Sequence, residues 1–338
     1  MTLGELAVRV GGRCVGDPGR PIRGLCVPDG PIPGHVLVLR GRKVLPDLDP
    51  EVGVVAQEDR FPLEAWGVAV GDVEEAWPRV LGAFVPSRLY EGVHPSAVVH
   101  PNSRVAPGVH LGPGCVVGEG CCVGEGSWLQ GQVYLGRNVR VGKNCVLEAG
   151  VVLQDGTVLG DRVLIHSNAV LGADGFGFRR DAAGRQVKIP QVGTVVVEDD
   201  AEIGACSTVD RATVGETRIG RRAKLDDHVH VAHNCVVGED CILVAFAGLA
   251  GSVTLENGVI LAAQSGATDH VRIGAGAVVG GRGGVLKDVP PGAFVSGFPA
   301  RDHREEMRSQ GWLRRLPDLA DRLKELERRL KALEEASS

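Results

Sequence analysis

Between Lys224 and Asn234 the chain reads KLDDHVHVAHN. His228, His230 and His233 therefore fall within six residues, with Asp226 and Asp227 just before them. A fourth histidine, His270, follows His233 by 37 residues. Imidazole, with an ordinary pKa of about 6.5, is the side chain suited to moving protons near neutrality. A neutral ring can deprotonate an attacking amine or hydroxyl, and a neighbouring carboxylate, Asp226 or Asp227, would fix its tautomer. Two other readings stand beside acid–base chemistry: a zinc site built from the clustered imidazoles, and, for His228 and His230 above all, solvated residues on the outside of a strand.

What positions these residues is a six-residue period. Val, Leu or Ile occupies every sixth place from Val99 to Leu171, and the series restarts in a new frame at Ile219 and continues to Val285, with Ala267 the one small member. Only 43% of the chain is hydrophobic, so chance would fill fewer than half of these places. A strict hexad is neither the period of a helix nor the alternation of a strand. It is the mark of a parallel β-helix, in which short strands and tight turns coil around one axis. With about three hexads to a coil, the step from His233 to His270 is close to two coils. The two rings then share nearly one face, roughly 10 Å apart at the ~4.8 Å strand spacing, a gap that admits a reacting group between a base and a second polar group.

Composition agrees with a solenoid. Of 338 residues 49 are glycine and 4% are aromatic, which suits frequent turns and a narrow interior of stacked aliphatic side chains. A net charge of −5 gives no reason to expect nucleic acid as a partner. No apolar stretch approaches a membrane span and MTLGELAVRVGG lacks the features of a secretory signal, so a cytoplasmic location without a transmembrane segment is expected. The nine cysteines, several at repeat positions, read as reduced core thiols, and zinc-finger spacing is absent, Cys121-Cys122 being a vicinal pair. No metal is expected at the site.

Three regions follow. Residues 1–92 lack the hexad and read as a small α/β domain, with helices over Leu3–Val10 and Ala76–Phe84 and strands over Val36–Leu39 and Val52–Ala56. Residues 93–298 form the β-helix, interrupted once by 173–192, a loop whose Phe176 and Phe178 ask for a partner surface. Its bland alternative is a solvated insertion. In residues 299–338, Leu316, Leu319, Leu323, Leu326, Leu330 and Leu333 follow a heptad, the seam of a helix that pairs with identical copies or folds back.

HSNAVLGADGFGF (His166–Phe178), KIPQVG (Lys188–Gly193), STVDRAT (Ser207–Thr213), KLDDHVHVAHNCVVGED (Lys224–Asp240) and AGLAGS (Ala247–Ser252), together with the start, the joining segment GVHPSAVVHPNS and the leucine-rich tail, closely resemble the UDP-3-O-acylglucosamine N-acyltransferases of lipid A synthesis. The resemblance implies a mainly β fold, a left-handed parallel β-helix assembled as a homotrimer, with the N-terminal domain binding nucleotide and sugar. It implies an active site between subunits and no tightly bound cofactor. The donor would be a 3-hydroxyacyl chain on the phosphopantetheine of acyl carrier protein, and the acceptor the 2-amino group of UDP-3-O-acyl-glucosamine, a nucleotide-sugar lipid precursor. By the same resemblance His233 is the general base and His270 supports the carbonyl or its oxyanion. Asp226, His230, Gly251, Phe176 and Lys43 face substrate, Gly251 along the pantetheine path, and Gly284 lies in the acyl channel, where some members carry Met. Arg218, Arg221, Arg222, Arg282, Arg301 and Arg304 are candidate docking charges for the acidic carrier.

The chain departs from that family at identifiable places. Where the family holds uracil with Phe, Asn and Tyr, this chain has Val38, Gly41 and Val44. Thr268-Asp269 precedes His270 in place of Ala-Gly, and Phe246 stands where Gln is common. The other readings are a coenzyme A-dependent N-acetyltransferase acting on a different nucleotide amino sugar, and a β-helix that is a zinc hydrase or a scaffold.

Overall fold

A computed structural model describes residues 1–41, 49–85, 92–297 and 303–337. The chain divides into two units, Met1–Leu89 and Tyr90–Ser338.

In the first unit α1 spans Leu3–Val10, as its pattern predicts. Thr2 and Glu5 close a capping box at its start, and Gly11 ends it in the left-handed region at φ 70°. α2 spans Val73–Gly82, three residues earlier than the apolar run suggests, because Asp72 accepts from the Glu74 amide and nucleates the first turn. Five strands, β1 (Arg13–Val15), β2 (Leu25–Cys26), β3 (Val36–Val38), β4 (Gly53–Gln57) and β5 (Gly67–Val70), form one sheet in the order β1-β5-β4-β3-β2. β1 runs antiparallel to β5 and the others are parallel. Leu3, Leu6 and Val10 of α1 and Val73, Ala76 and Val80 of α2 are buried with Val36, Val55 and Val68 of the sheet.

In the second unit the hexads become strands of two residues, the outer one partly exposed and the inner one buried, as in Val152–Leu153. Parallel pairing links residues 18 apart, so three strands make a coil and the coils stack into sheets of nine, ten and ten strands among the described residues. The core is the ladder of inward Val, Leu and Ile, joined by Cys115, Cys121, Cys145, Cys235 and Cys241. These thiols are free and buried, and each donates to a carbonyl one coil on, Cys235 to Ala250 at 3.0 Å. Burial pushes Cys235 up to about 11, which leaves an inert thiol rather than a nucleophile.

The hexad breaks twice, not once. It resumes after the 173–192 insertion at Val197, Ile203 and Val209 and breaks again between the strands Thr208–Arg211 and Glu216–Ile219. Partners lie 38 residues apart across the first break and 22 across the second, in place of 18. The last strand is Phe294–Val295, slightly beyond the periodic stretch. α3, His303–Ser337, is one continuous helix whose six heptad leucines are all exposed in the single chain.

One ion cluster on the solenoid ties stability to pH. His166 lies between two carboxylates, Nε2 3.0 Å from Glu202 and Nδ1 3.3 Å from Glu148. Burial opposes its charge, but the two glutamates outweigh burial and raise its pKa above the ordinary 6.5. Such a group stabilises the fold fully below the unfolded value, and the contribution is lost as pH rises through the folded one. Glu202 is lowered from 4.5, first by its hydrogen bond to His166, so its share is lost only as pH falls through that depressed value. Melting temperature should therefore decline as pH rises above 6.5, and His166→Gln should flatten that alkaline slope in a thermal-shift series. An equal slope in the variant rejects the coupling.

Candidate active site

Both breaks fall at one corner of the coil, between the sheet carrying Thr208–Arg211 and the sheet carrying Glu216–Ile219. One coil on, that corner is the turn Ala232-His233-Asn234. Two further coils bring Gly251 and then Asp269 and His270 to it, with Ser252 donating to the His233 carbonyl (2.9 Å) and His270 to the Gly251 carbonyl (3.1 Å). His233 and His270 thus reach the same corner two coils apart, with Asp269 in register with His233 and His270 one place beyond it.

The tautomer of His233 is set by Asn234, not by Asp226 or Asp227. Asn234 is locked in the left-handed region at φ 61°. Its Oδ1 accepts from the Thr213 amide (2.9 Å) and its Nδ2 donates to the Val214 carbonyl (3.0 Å), which fixes the orientation of the amide. His233 Nδ1, 3.2 Å from that Oδ1, must therefore be the protonated nitrogen, and Nε2 keeps its lone pair. The four-residue break supplies both anchors. Asp226 and Asp227 sit at the preceding corner with their carboxylates given to backbone: Asp226 accepts from Asp227 and Ala245, and Asp227 from Ala205.

Two glycines leave room for the ring. A Cβ at Gly251 would lie 2.7 Å from His233 Nε2, and one at Gly175, in the inserted segment, 2.6 Å from His233 Cβ. The half-buried imidazole is therefore hemmed by bare backbone, Nε2 towards Gly251. His270 is far more open, its side chain 76% exposed, with Asp269 4.0 Å from its Nε2.

His230, on the outer side of the strand His230–Val231, meets the Thr208 hydroxyl through Nδ1 at 2.7 Å and Asp210 through Nε2 at 3.8 Å. Gly248, Gly266 and Gly284 continue the His230 column along the sheet. Nothing lies within 4 Å of a Cβ built at Gly248 or Gly284, so the column is a strip of uncovered backbone leading away from the histidines. The insertion forms a hairpin, Phe178–Arg180 against Gln186–Lys188, pinned by a hydrogen bond from Thr213 to Gln191. Phe176 is 86% exposed and packs edge-on to Phe178, and with Gln186 they line an open cleft of about 570 Å³.

The spacing argument missed Asp210, Asn234 and Gly175. Asp210 belongs to STVDRAT and is only 7% exposed. Burial pushes its carboxyl up, while His230 and His233 pull it back. The proposed docking arginines are not simply free: Arg218 pairs with Glu198 and Glu216, Arg222 with Glu239 and Asp240, and Arg282 donates to Gln264 at 2.6 Å. Lys43, Val44 and Arg301 lie outside the described residues. Among those described, no group of three or more His, Cys, Asp or Glu is arranged to hold a metal ion, and no helix is long and apolar enough to cross a membrane.

A family model described as bacterial transferase hexapeptide (six repeats) matches residues 96–131, 138–173 and 216–251. Over 155 residues the chain is 47% identical to UDP-3-O-acylglucosamine N-acyltransferase of Methylobacterium sp. (strain 4-46), a match covering 46% of this chain and 44% of that protein. The protein of the same name from Wolinella succinogenes is 44% identical over 153 residues, covering 45% and 48%. The chain thus spans about half the length of the curated relatives it matches. Among solved structures, the Arabidopsis UDP-N-acetylglucosamine acyltransferase aligns with a TM-score of 0.56 and 30% identity, covering 61% of this chain and 71% of that one. With its coil, its repeats and these relatives in agreement, the chain belongs to the hexapeptide-repeat acyltransferase family, related over its matched part to the UDP-3-O-acylglucosamine N-acyltransferases.

Proposed function

We propose that the chain is an N-acyltransferase of lipid A biosynthesis, moving a 3-hydroxyacyl chain from acyl carrier protein to the 2-amino group of UDP-3-O-acyl-glucosamine. The observation that carries this reading is His233: Nδ1 is committed to Asn234 and the lone pair of Nε2 is held beside bare backbone at Gly251. In the reaction the neutral amine attacks the thioester carbonyl. The C–N bond forms, His233 Nε2 takes the proton from nitrogen, the C–S bond breaks, and the departing thiolate receives that proton. His270 stands by the carbonyl as its oxygen becomes anionic, where a preorganised donor is worth most. His230 serves the acceptor's polar atoms and Phe176 its apolar part, while Asp226, expected to face substrate, is held at the preceding corner by backbone amides. Gly251 borders the pantetheine arm, and the bare strip through Gly284 receives the acyl chain. The N-terminal unit holds the nucleotide, Lys43 included. Self-association into a trimer gives the α3 leucines partners.

The assay is direct. Purified protein, 3-hydroxyacyl carrier protein and UDP-3-O-acyl-glucosamine should yield the amide by mass spectrometry, and sedimentation should return three copies. Turnover with acetyl coenzyme A and a different nucleotide amino sugar, but not with the carrier, would replace this reading with the acetyltransferase one.

A further inference from the structure

A carboxylate inside a β-helix wall is expensive unless it is paired or hydrogen-bonded. Asp210 is such a group. Most strands of the solenoid are two residues long, but Thr208–Arg211 runs on beyond its inward Val209 and pairs across a bulge with Val170–Asp174, matching Ala173 to Asp210. That irregularity carries Asp210 to the His233 corner and buries it. Among the described residues its side-chain partner is His230 Nε2, 3.8 Å away. The cation beside it in sequence is spoken for: Arg211 donates to the carbonyls of Gly172 (2.7 Å) and Asp155 (2.9 Å). The charged and titratable groups acting on Asp210 are His230, His233 and Asp174, and Asp174 is itself answered by Lys188 at 2.8 Å.

We propose that Asp210 is a positioning residue, the buried counter-ion of the His230–His233 pair, which stabilises the imidazolium formed when His233 accepts the acceptor's proton. The inference rests on the acyl-transfer reading for its use, but not for its physics. At 3.8 Å the carboxylate favours a protonated His230 ring over a neutral one, and its charge also acts on His233. Its negative charge is therefore most valuable at the moment His233 is charged, and His230, bonded to Thr208 on its other nitrogen, is held against it.

The test uses Asp210→Asn and the smaller Asp210→Ser, with two readouts. Histidine NMR titration of the intact chain follows the imidazoles without substrate, and the pH profile of kcat/KM follows them in turnover. Removing the carboxylate should move the His230 and His233 titration midpoints, and the acid limb of the profile, down by about one pH unit. At pH 7 kcat should fall about tenfold, the rate equivalent of that unit. Midpoints and limb unmoved in a folded variant overturn the proposal, since a merely structural Asp210 would cost stability and leave both in place. In the unmodified chain the Asp210 side-chain carbon resonance should follow the imidazole titration, and a flat response there also overturns it. Midpoints that shift in the variants while the wild-type protein transfers no acyl group support the counter-ion and count against the acyl-transfer reading alone.

Discussion

His233→Ala should lower kcat/KM for acyl transfer by about a thousandfold, the loss expected when a positioned general base is removed. The fold should survive, because the corner is held by main chain and by its neighbour: Ser252 donates to the residue-233 carbonyl, and Asn234 keeps its bonds to Thr213, Val214 and Thr217 without the ring. Circular dichroism and melting temperature should stay close to those of the wild type. Turnover within tenfold of wild type would remove His233 from the mechanism.

Gly251→Ala is the sharper experiment, because it leaves every polar group in place. The backbone at 251 lies outside the left-handed region, so alanine is tolerated locally. The new methyl group would instead stand 2.7 Å from His233 Cε1 and Nε2. The ring must turn, and Gly175 on the other side already approaches its Cβ, Cγ and Cδ2 closely enough to bar a Cβ. A displacement of about 1 Å in a reacting nitrogen costs roughly a hundredfold, so kcat should fall by that order with little change in melting temperature. A kcat within threefold of wild type would mean that Nε2 does not need its present position.

Much of the fold could be read directly because a solenoid writes its geometry into a period. The hexad residues from Leu111 to Val285 all point inward, and His233 and His270 reach one corner two coils apart because their separation is close to two coils. α1 was legible as the run from Leu3 to Val10 closed by Gly11-Gly12. The first unit's short strands β1, β2 and β5 were not, since two to four residues carry no periodicity to detect. The partner of His233 was misjudged for a physical reason. In a coil of three sides, a residue seven places back lies at the previous corner, so Asp226, near in sequence, is turned to other work. Asp210, one coil below across the four-residue break, faces the cluster, and only pairing register reveals that.

The same coil restricts how such a chain can gain or lose residues. Deleting six residues would rotate every later side chain by one side of the triangle and carry His270 away from His233, though each hexad would still be intact. Deleting a full coil of 18 would keep all faces in phase and shorten the uncovered glycine strip by about 4.8 Å. Changes of other lengths are harmless only as excursions at a corner that return to the axis where they left it, as the 173–192 insertion and the four residues after Arg211 do. Length along this molecule is therefore quantised, and a groove built on it can be lengthened or shortened only in whole-coil steps.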